Sequence, residues 1–306
     1  MHHFRSLSRT IVALLLLTTA GSAPAQLPNV PTPTLGGKQF WGDAYIYGGW
    51  RIQQNVYTGH HRLLDAKDVR RAWGSYEACA ARLEEAKAAG KARLSSTRLC
   101  VLVHGYLRSK DSMAPLQEAL EAAGYEVYAI NYPSTDADIA ALSDQVRQVI
   151  DRAQCDFEEV NLVTHSLGGL IARRILNSDS PPKIRTLVML GPPSQGAVLA
   201  DLLLEWWPSE IVLGPAGKEL GKDAKDFAAN AGTPPIPFGI IAGGKGDDKG
   251  WNPLIPGDDD GVVAVEDTRL EGAAGFVVVR SLHTFMMKNP DLIRQTLAFL
   301  EALRFD

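Results

Sequence analysis

The chain is sparing with features that would each commit it to one class of protein. It carries three cysteines, Cys79, Cys100 and Cys155. An odd count leaves at least one thiol unpaired within the chain, so the sequence is not a disulfide scaffold, and none of the three stands at zinc-ligand spacing. Cys100 opens an apolar stretch and reads as a buried thiol, whereas Cys79 and Cys155 could pair if the protein is exported. Positive charge is not in excess. Lys and Arg number 31 against 35 Asp and Glu, a net charge of −4, which argues against nucleic acid as a partner. Internal repeats and low-complexity tracts are missing, and no apolar run is long enough to span a bilayer comfortably. What remains is ordinary globular material, 45% hydrophobic and 22% charged over 306 residues, enough for one large α/β domain or two small ones.

The first residues read as an export signal. His2, His3, Arg5 and Arg9 precede a short apolar core over residues 11–17, and Ala23-Pro24-Ala25 offers a cleavage site before Gln26. No Cys follows the core to carry a lipid. The expectation is a signal peptide over residues 1–25, cleavage near Ala25-Gln26, and a secreted or periplasmic product. Residues 26–37, rich in Pro, Thr and Gly, form a flexible lead-in, and residues 38–306 form a single domain.

Within that domain, residues 50–57 and 61–64 are expected to pair antiparallel around Thr58-Gly59-His60. The aromatics Phe40, Trp41, Tyr45, Tyr47 and Trp50 are expected to pack a sheet edge. His60 and His61 are adjacent on a strand, point to opposite faces, and make no metal site. Residues 69–90 look helical. Apolar runs at 99–103, 126–130, 160–163, 184–190, 237–243 and 275–280 then alternate with helical periods such as Leu116/Leu120, Ile139/Leu142/Val146/Val149 and Leu292/Ile293/Leu297/Leu300. Strands alternating with helices imply a mostly parallel, doubly wound sheet.

The sharpest local signal lies at residues 160–176. An apolar strand run ends within about two residues of Ser166, and Leu167, Leu170, Ile171 and Ile175 continue at helical spacing. So abrupt a change of period forces a tight turn that lifts the Ser166 hydroxyl above the sheet edge and aims the first helical N–H groups at the same spot. Small residues must flank the turn, and Gly168 and Gly169 do.

Thr164-His165-Ser166-Leu167-Gly168 resembles the nucleophile elbow of the α/β-hydrolase superfamily in its lipase/esterase branch, with Thr164 in place of the first Gly of Gly-x-Ser-x-Gly. His104-Gly105-Tyr106, after the strand run at 99–103, resembles that superfamily's oxyanion loop. Leu190-Gly191-Pro192-Pro193-Ser194-Gln195-Gly196 points to the lipase and GPI-inositol-deacylase-like members. The resemblance implies an α/β-hydrolase fold with a small cap insertion at about residues 197–236, where Trp206 and Trp207 lie. It also implies oxyanion donors on the N–H groups of Tyr106 and Leu167.

A serine hydroxyl needs a base. Of seven histidines, two fall in the signal, two precede the sheet, and His104 and His165 belong to motif backbones; His165 should point away from Ser166 by strand alternation. His283 remains, in the loop where the superfamily places its histidine. The acid candidates are Asp247, Asp248, Asp258, Asp259, Asp260, Glu266 and Asp267. The family pattern Asp-Gly-x-Val matches Asp260-Gly261-Val262-Val263 and selects Asp260, with Asp259 second.

The resemblance thus implies an exported serine hydrolase that cleaves carboxylic esters through Ser166, Asp260 and His283. It needs no cofactor, although the Asp258–Asp260 carboxylates could instead take a structural calcium. The partners expected are a small-molecule or lipid ester, with transient contact to a lipid interface. Amide or thioester cleavage and acyl transfer use the same machinery. A non-catalytic binding module on this fold would be marked by loss of a triad member, and none is missing.

Overall fold

The computed structural model describes residues 32–33, 38–196, 215–217, 219–220 and 224–306. The expected signal, most of the lead-in and much of the expected cap, Trp206 and Trp207 included, lie outside these residues. Among the described residues no helix is long and apolar enough to cross a membrane.

The chain opens with a five-stranded antiparallel sheet in the order β1-β5-β4-β3-β2. Its strands are β1 (Thr32–Pro33), β2 (Trp41–Tyr47), β3 (Trp50–Asn55), β4 (His61–Leu64) and β5 (Val69–Gly74). The expected pairing of β3 with β4 is found, Arg51 opposite Leu64 and Gln54 opposite His61. The expected helix over 69–90 needs correction. Its first six residues form β5, paired with β4, and helix α1 runs only from Tyr76 to Ala88. Ser75 marks the boundary, since its side chain accepts from the Ala78 N–H and caps the helix. Trp50, Ile52, Leu63 and Ala72 of this sheet pack on Cys79, Leu83 and Ala86 of α1, with Tyr45 and Tyr47 against them. Tyr45, Tyr47 and Trp50 therefore serve packing, whereas Phe40 is exposed.

The remainder is a six-stranded sheet in the order β11-β10-β9-β8-β6-β7, every neighbouring pair parallel. In chain order these are β6 (Arg98–Val103), β7 (Glu126–Ile130), β8 (Glu159–His165), β9 (Thr186–Leu190), β10 (Phe238–Gly244) and β11 (Gly275–Arg280). Helices α2 (Ala114–Ala122), α3 (Ile139–Ala153), α4 (Leu167–Leu176), α5 (Ala224–Asn230) and α6 (Pro290–Ala302) follow in chain order.

The apolar runs follow from this architecture, because a parallel strand covered on both faces has no polar side to show. Alternate residues go to opposite cores. Leu99, Val101, Val103, Leu162 and Met189 join the cluster under α3 and α4. Cys100, Leu102, Val163, Val188 and Ile241 join the cluster under α2 and α6. Each fully buried leucine here is worth about 2–5 kcal/mol against alanine.

Two features position the site. Chain order reverses between β6 and β8, which are hydrogen-bonded neighbours although β7 lies between them in sequence. Open α/β sheets form their crevice at such a switch point, outside the carboxyl ends of the strands. The last paired residues, Val103 and Thr164, stand side by side, so His104-Gly105 and His165-Ser166 leave the sheet together. The antiparallel sheet is fastened to the end of β7 through buried Asp43. Its carboxylate accepts from Arg51 (2.7 Å), Gln53 (2.8 Å) and the Asn131 N–H (2.7 Å), and burial raises its pKa while Arg51 opposes the shift.

Candidate active site

Ser166 stands between β8 and α4 with φ 54° and ψ −123°. A non-glycine residue held there carries about 1–3 kcal/mol of strain, which only surrounding contacts can maintain. Those contacts are the Ser166 N–H donating to the Leu190 carbonyl (2.9 Å) and the Gly169 N–H donating to the Ser166 carbonyl (2.8 Å). The glycines beside it are there for space. A Cβ on Gly168 would stand 2.6 Å from the Val103 carbonyl oxygen, and one on Gly169 would stand 2.9 Å from Pro192 Cβ.

Leu167 is the first residue of α4 and is fully buried. N–H groups in the first turn of a helix lack an intrahelical partner, so its donor is available at the C-terminal edge of the sheet. Tyr106 is half-buried in the turn after β6, and burial pushes its phenol up to about 12. Gly105 approaches closely, since a Cβ there would lie 3.0 Å from Ser166 Cβ. The loop is braced from below. His104 donates from Nδ1 to the Gly105 carbonyl (2.8 Å) and stacks on Tyr132 at 4.1 Å, and the Tyr132 hydroxyl donates to the His104 carbonyl (2.5 Å). Burial lowers the His104 pKa to about 4, so this imidazole is a neutral brace.

His283 begins the turn after β11 and is buried. Its Nδ1 donates to Asp260 Oδ2 at 2.6 Å, and its backbone N–H donates to the Asp260 carbonyl at 2.8 Å. Asp260 Oδ1 accepts from the Val262 (3.0 Å) and Val263 (2.8 Å) N–H groups. The loop thus fixes the carboxylate, and the carboxylate fixes the imidazole with Nε2 as its basic nitrogen. Asp259, the second candidate, faces elsewhere. It accepts from the Asn252 N–H (3.0 Å) and the Gly261 N–H (2.6 Å). Asp258 accepts from the Lys245 and Gly246 N–H groups. All three carboxylates of the run are therefore committed to backbone donors or to His283.

Gly191, at φ 53°, joins the halves of the site. Its N–H donates to Ile241 next to the Leu190 carbonyl that holds Ser166. A Cβ on it would meet both Asp260 Oδ2 and His283 Nδ1 at 3.2 Å. The structure thus brings Asp260 and His283 into contact with Gly191 against both, and sets Gly105 beside Ser166, while Asp259 bonds to other backbone N–H groups.

Gly105 and Gly191, read from the sequence only as members of their motifs, owe their roles to contacts from distant parts of the chain. Arg108 and Arg173 were not singled out from the sequence. Arg108 donates to Thr284 Oγ1 (2.9 Å), tying the turn after β6 to the residue beside His283, and its carbonyl accepts from Gln39 (2.9 Å). Arg173 of α4 is 2% exposed and donates to the carbonyls of Gly232 (2.7 Å), Ala228 (2.5 Å) and Ser194 (3.3 Å). Ala228 and Gly232 lie within the segment expected to form the cap, and Ser194 lies just before it. The position of Arg173 three residues after buried Leu170 was the signal that could have revealed it.

Four similarities to known proteins are found. A family model described as the alpha/beta hydrolase family matches residues 100–289. The Bacillus licheniformis lipase BlEst2 in its mature form superposes with a TM-score of 0.54 at 21% identity, covering 67% of this chain and 91% of that one. Its propeptide form gives a TM-score of 0.51, covering 69% and 51%. A palmitoyl-protein thioesterase 3 of Dictyostelium discoideum is 28% identical over 112 residues, 34% of this chain and 39% of the relative, so the match spans about two fifths of that relative's length. The family match takes in β7, the elbow, the Asp260 loop and His283, and with the six parallel strands it makes this chain a member of the α/β hydrolase family.

Proposed function

We propose that the protein is a serine hydrolase that cleaves carboxylic esters, with Ser166 as nucleophile, His283 as base and Asp260 as the acid that orients it. The observation that carries the reading is the buried 2.6 Å contact between His283 Nδ1 and Asp260 Oδ2, at the same sheet edge as a serine in elbow geometry. Ser166 Oγ attacks the acyl carbonyl while His283 Nε2 takes its proton. Asp260 keeps the Nδ1–H tautomer and offsets the imidazolium charge. The Leu167 and Tyr106 N–H groups receive the oxyanion. The C–O bond then breaks, His283 returns its proton to the leaving alcohol, and water activated by the same nitrogen hydrolyses the acyl-enzyme. Lipase and thioesterase relatives support an acyl substrate with an apolar chain, and the N-terminal pattern supports export.

Thioester cleavage is the second reading, favoured by the thioesterase relative. The chemistry differs only in the leaving atom. A series of p-nitrophenyl esters of increasing chain length, beside matched acyl thioesters, separates the two. Faster turnover of oxoesters, lost in Ser166→Ala, is the expected result. Preference for sulfur would favour the second reading. A folded protein that turns over neither would overturn both and leave a binding module.

A further inference from the structure

His165 precedes the nucleophile, is 1% exposed, and has no part in the mechanism above. The loop after β11 folds back over it. Its Nε2 donates to the carbonyl oxygen of His283 at 3.1 Å, and the two rings lie 4.5 Å apart, tilted by 43°. On its other side lies the turn after β6, where a Cβ on Gly105 would stand 3.0 Å from His165 Nδ1. One imidazole is thus bonded to the base loop, packed against the oxyanion loop and covalently joined to the nucleophile.

We propose that His165 is a positioning residue that sets the height of His283 above the elbow. The proposal rests on the reading of Ser166, His283 and Asp260 as the catalytic set. His283 is held at three points: Asp260 accepts from its N–H and its Nδ1–H, and His165 donates to its carbonyl. Release of the third point lets the loop tilt about the other two, which displaces Nε2 relative to Ser166. The contact requires a proton on His165 Nε2. Burial first, then the adjacent His283, with Arg108 and His104 adding to them, hold it well below the usual histidine range, so this imidazole stays neutral. The carbonyl contact itself acts in the opposite direction.

The test compares His165→Phe, which keeps a ring and removes the donor, with His165→Gln, whose amide can reach the same carbonyl. Ester turnover and the rate of labelling by a fluorophosphonate are read together, with circular dichroism to confirm the fold. A tilt of the base predicts kcat about tenfold lower or worse in the Phe variant with KM nearly unchanged, a parallel loss of labelling rate, and recovery of most of both in the Gln variant. Should the Phe variant fail to fold, His165→Asn replaces it, since its shorter amide cannot span to the carbonyl. Wild-type kcat and labelling rate in the donor-less variant, or a loss confined to KM, would overturn the proposal. Absence of labelling in the wild type would instead overturn the catalytic reading on which it rests.

Discussion

Asp260 and His283 are paired twice, once through their side chains at 2.6 Å and once through the His283 N–H and the Asp260 carbonyl at 2.8 Å. The backbone contact sets the loops before the side-chain contact sets the ring. Asp260→Asn is therefore expected to fold normally and to lose kcat by about 10⁴-fold, because an amide at this position favours the wrong tautomer. Asp259→Asn should keep activity within an order of magnitude, since that carboxylate serves only backbone N–H groups. Steady-state kinetics on the two variants decides between neighbouring acids. Comparable losses in both would contradict the assignment.

The closeness of β6 to α4 gives a prediction of sign. Glycine to alanine inside a helix ordinarily stabilises by about 1 kcal/mol. At Gly168 the added carbon would meet the Val103 carbonyl at 2.6 Å, and that carbonyl belongs to a central strand that cannot yield. Gly168→Ala is expected to destabilise by about 1–3 kcal/mol and to lower Tm by several degrees. Thermal denaturation checks it, and an unchanged or raised Tm would contradict the packing described.

Much of this was legible because burial on both faces writes itself into sequence as plain apolar runs. Residues 126–130 and 275–280 were bounded as found, and the period change at Ser166 marked the elbow. Less legible was β5, whose pairing with β4 is decided across the sheet while Arg70 and Arg71 imitate a solvated helix face. The separation of the first five strands into their own sheet depends on which edges meet, a tertiary choice. His165 was read as pointing away from Ser166, yet its ring lies 4.5 Å from that of His283. Its partner came from a loop 118 residues on, which no local period encodes.

Arg173 is a buried cation served by carbonyls alone, and burial lowers its pKa to about 10. Arg173→Met fills similar volume but leaves the Gly232, Ala228 and Ser194 carbonyls without this donor. The expected cost is about 2–4 kcal/mol in urea unfolding. Arg174→Met, one residue on and exposed, should cost less than about 0.5 kcal/mol.

Acid should destabilise the fold through its buried histidines. His104 is pushed down to about 4 by burial, from an unfolded value of 6.5, and His165 is lowered as well. Below pH 6.5 the unfolded chain takes up protons that the native state refuses, so stability falls as pH drops through this window and levels off near pH 4 for His104. Its share is on the order of 3 kcal/mol across the window. Urea midpoints at pH 7 and pH 5 measure the effect, and His104→Asn should flatten the slope.

The most direct measurement is covalent labelling of the purified protein by a fluorophosphonate, with Ser166→Ala beside it and the modified peptide identified by mass. One adduct, on Ser166, absent from the folded variant and slowed in Asp260→Asn, is the result expected of an activated serine with a base held by its acid. A folded wild type that takes no label, or equal labelling of the variant, would contradict the assignment of Ser166 as nucleophile.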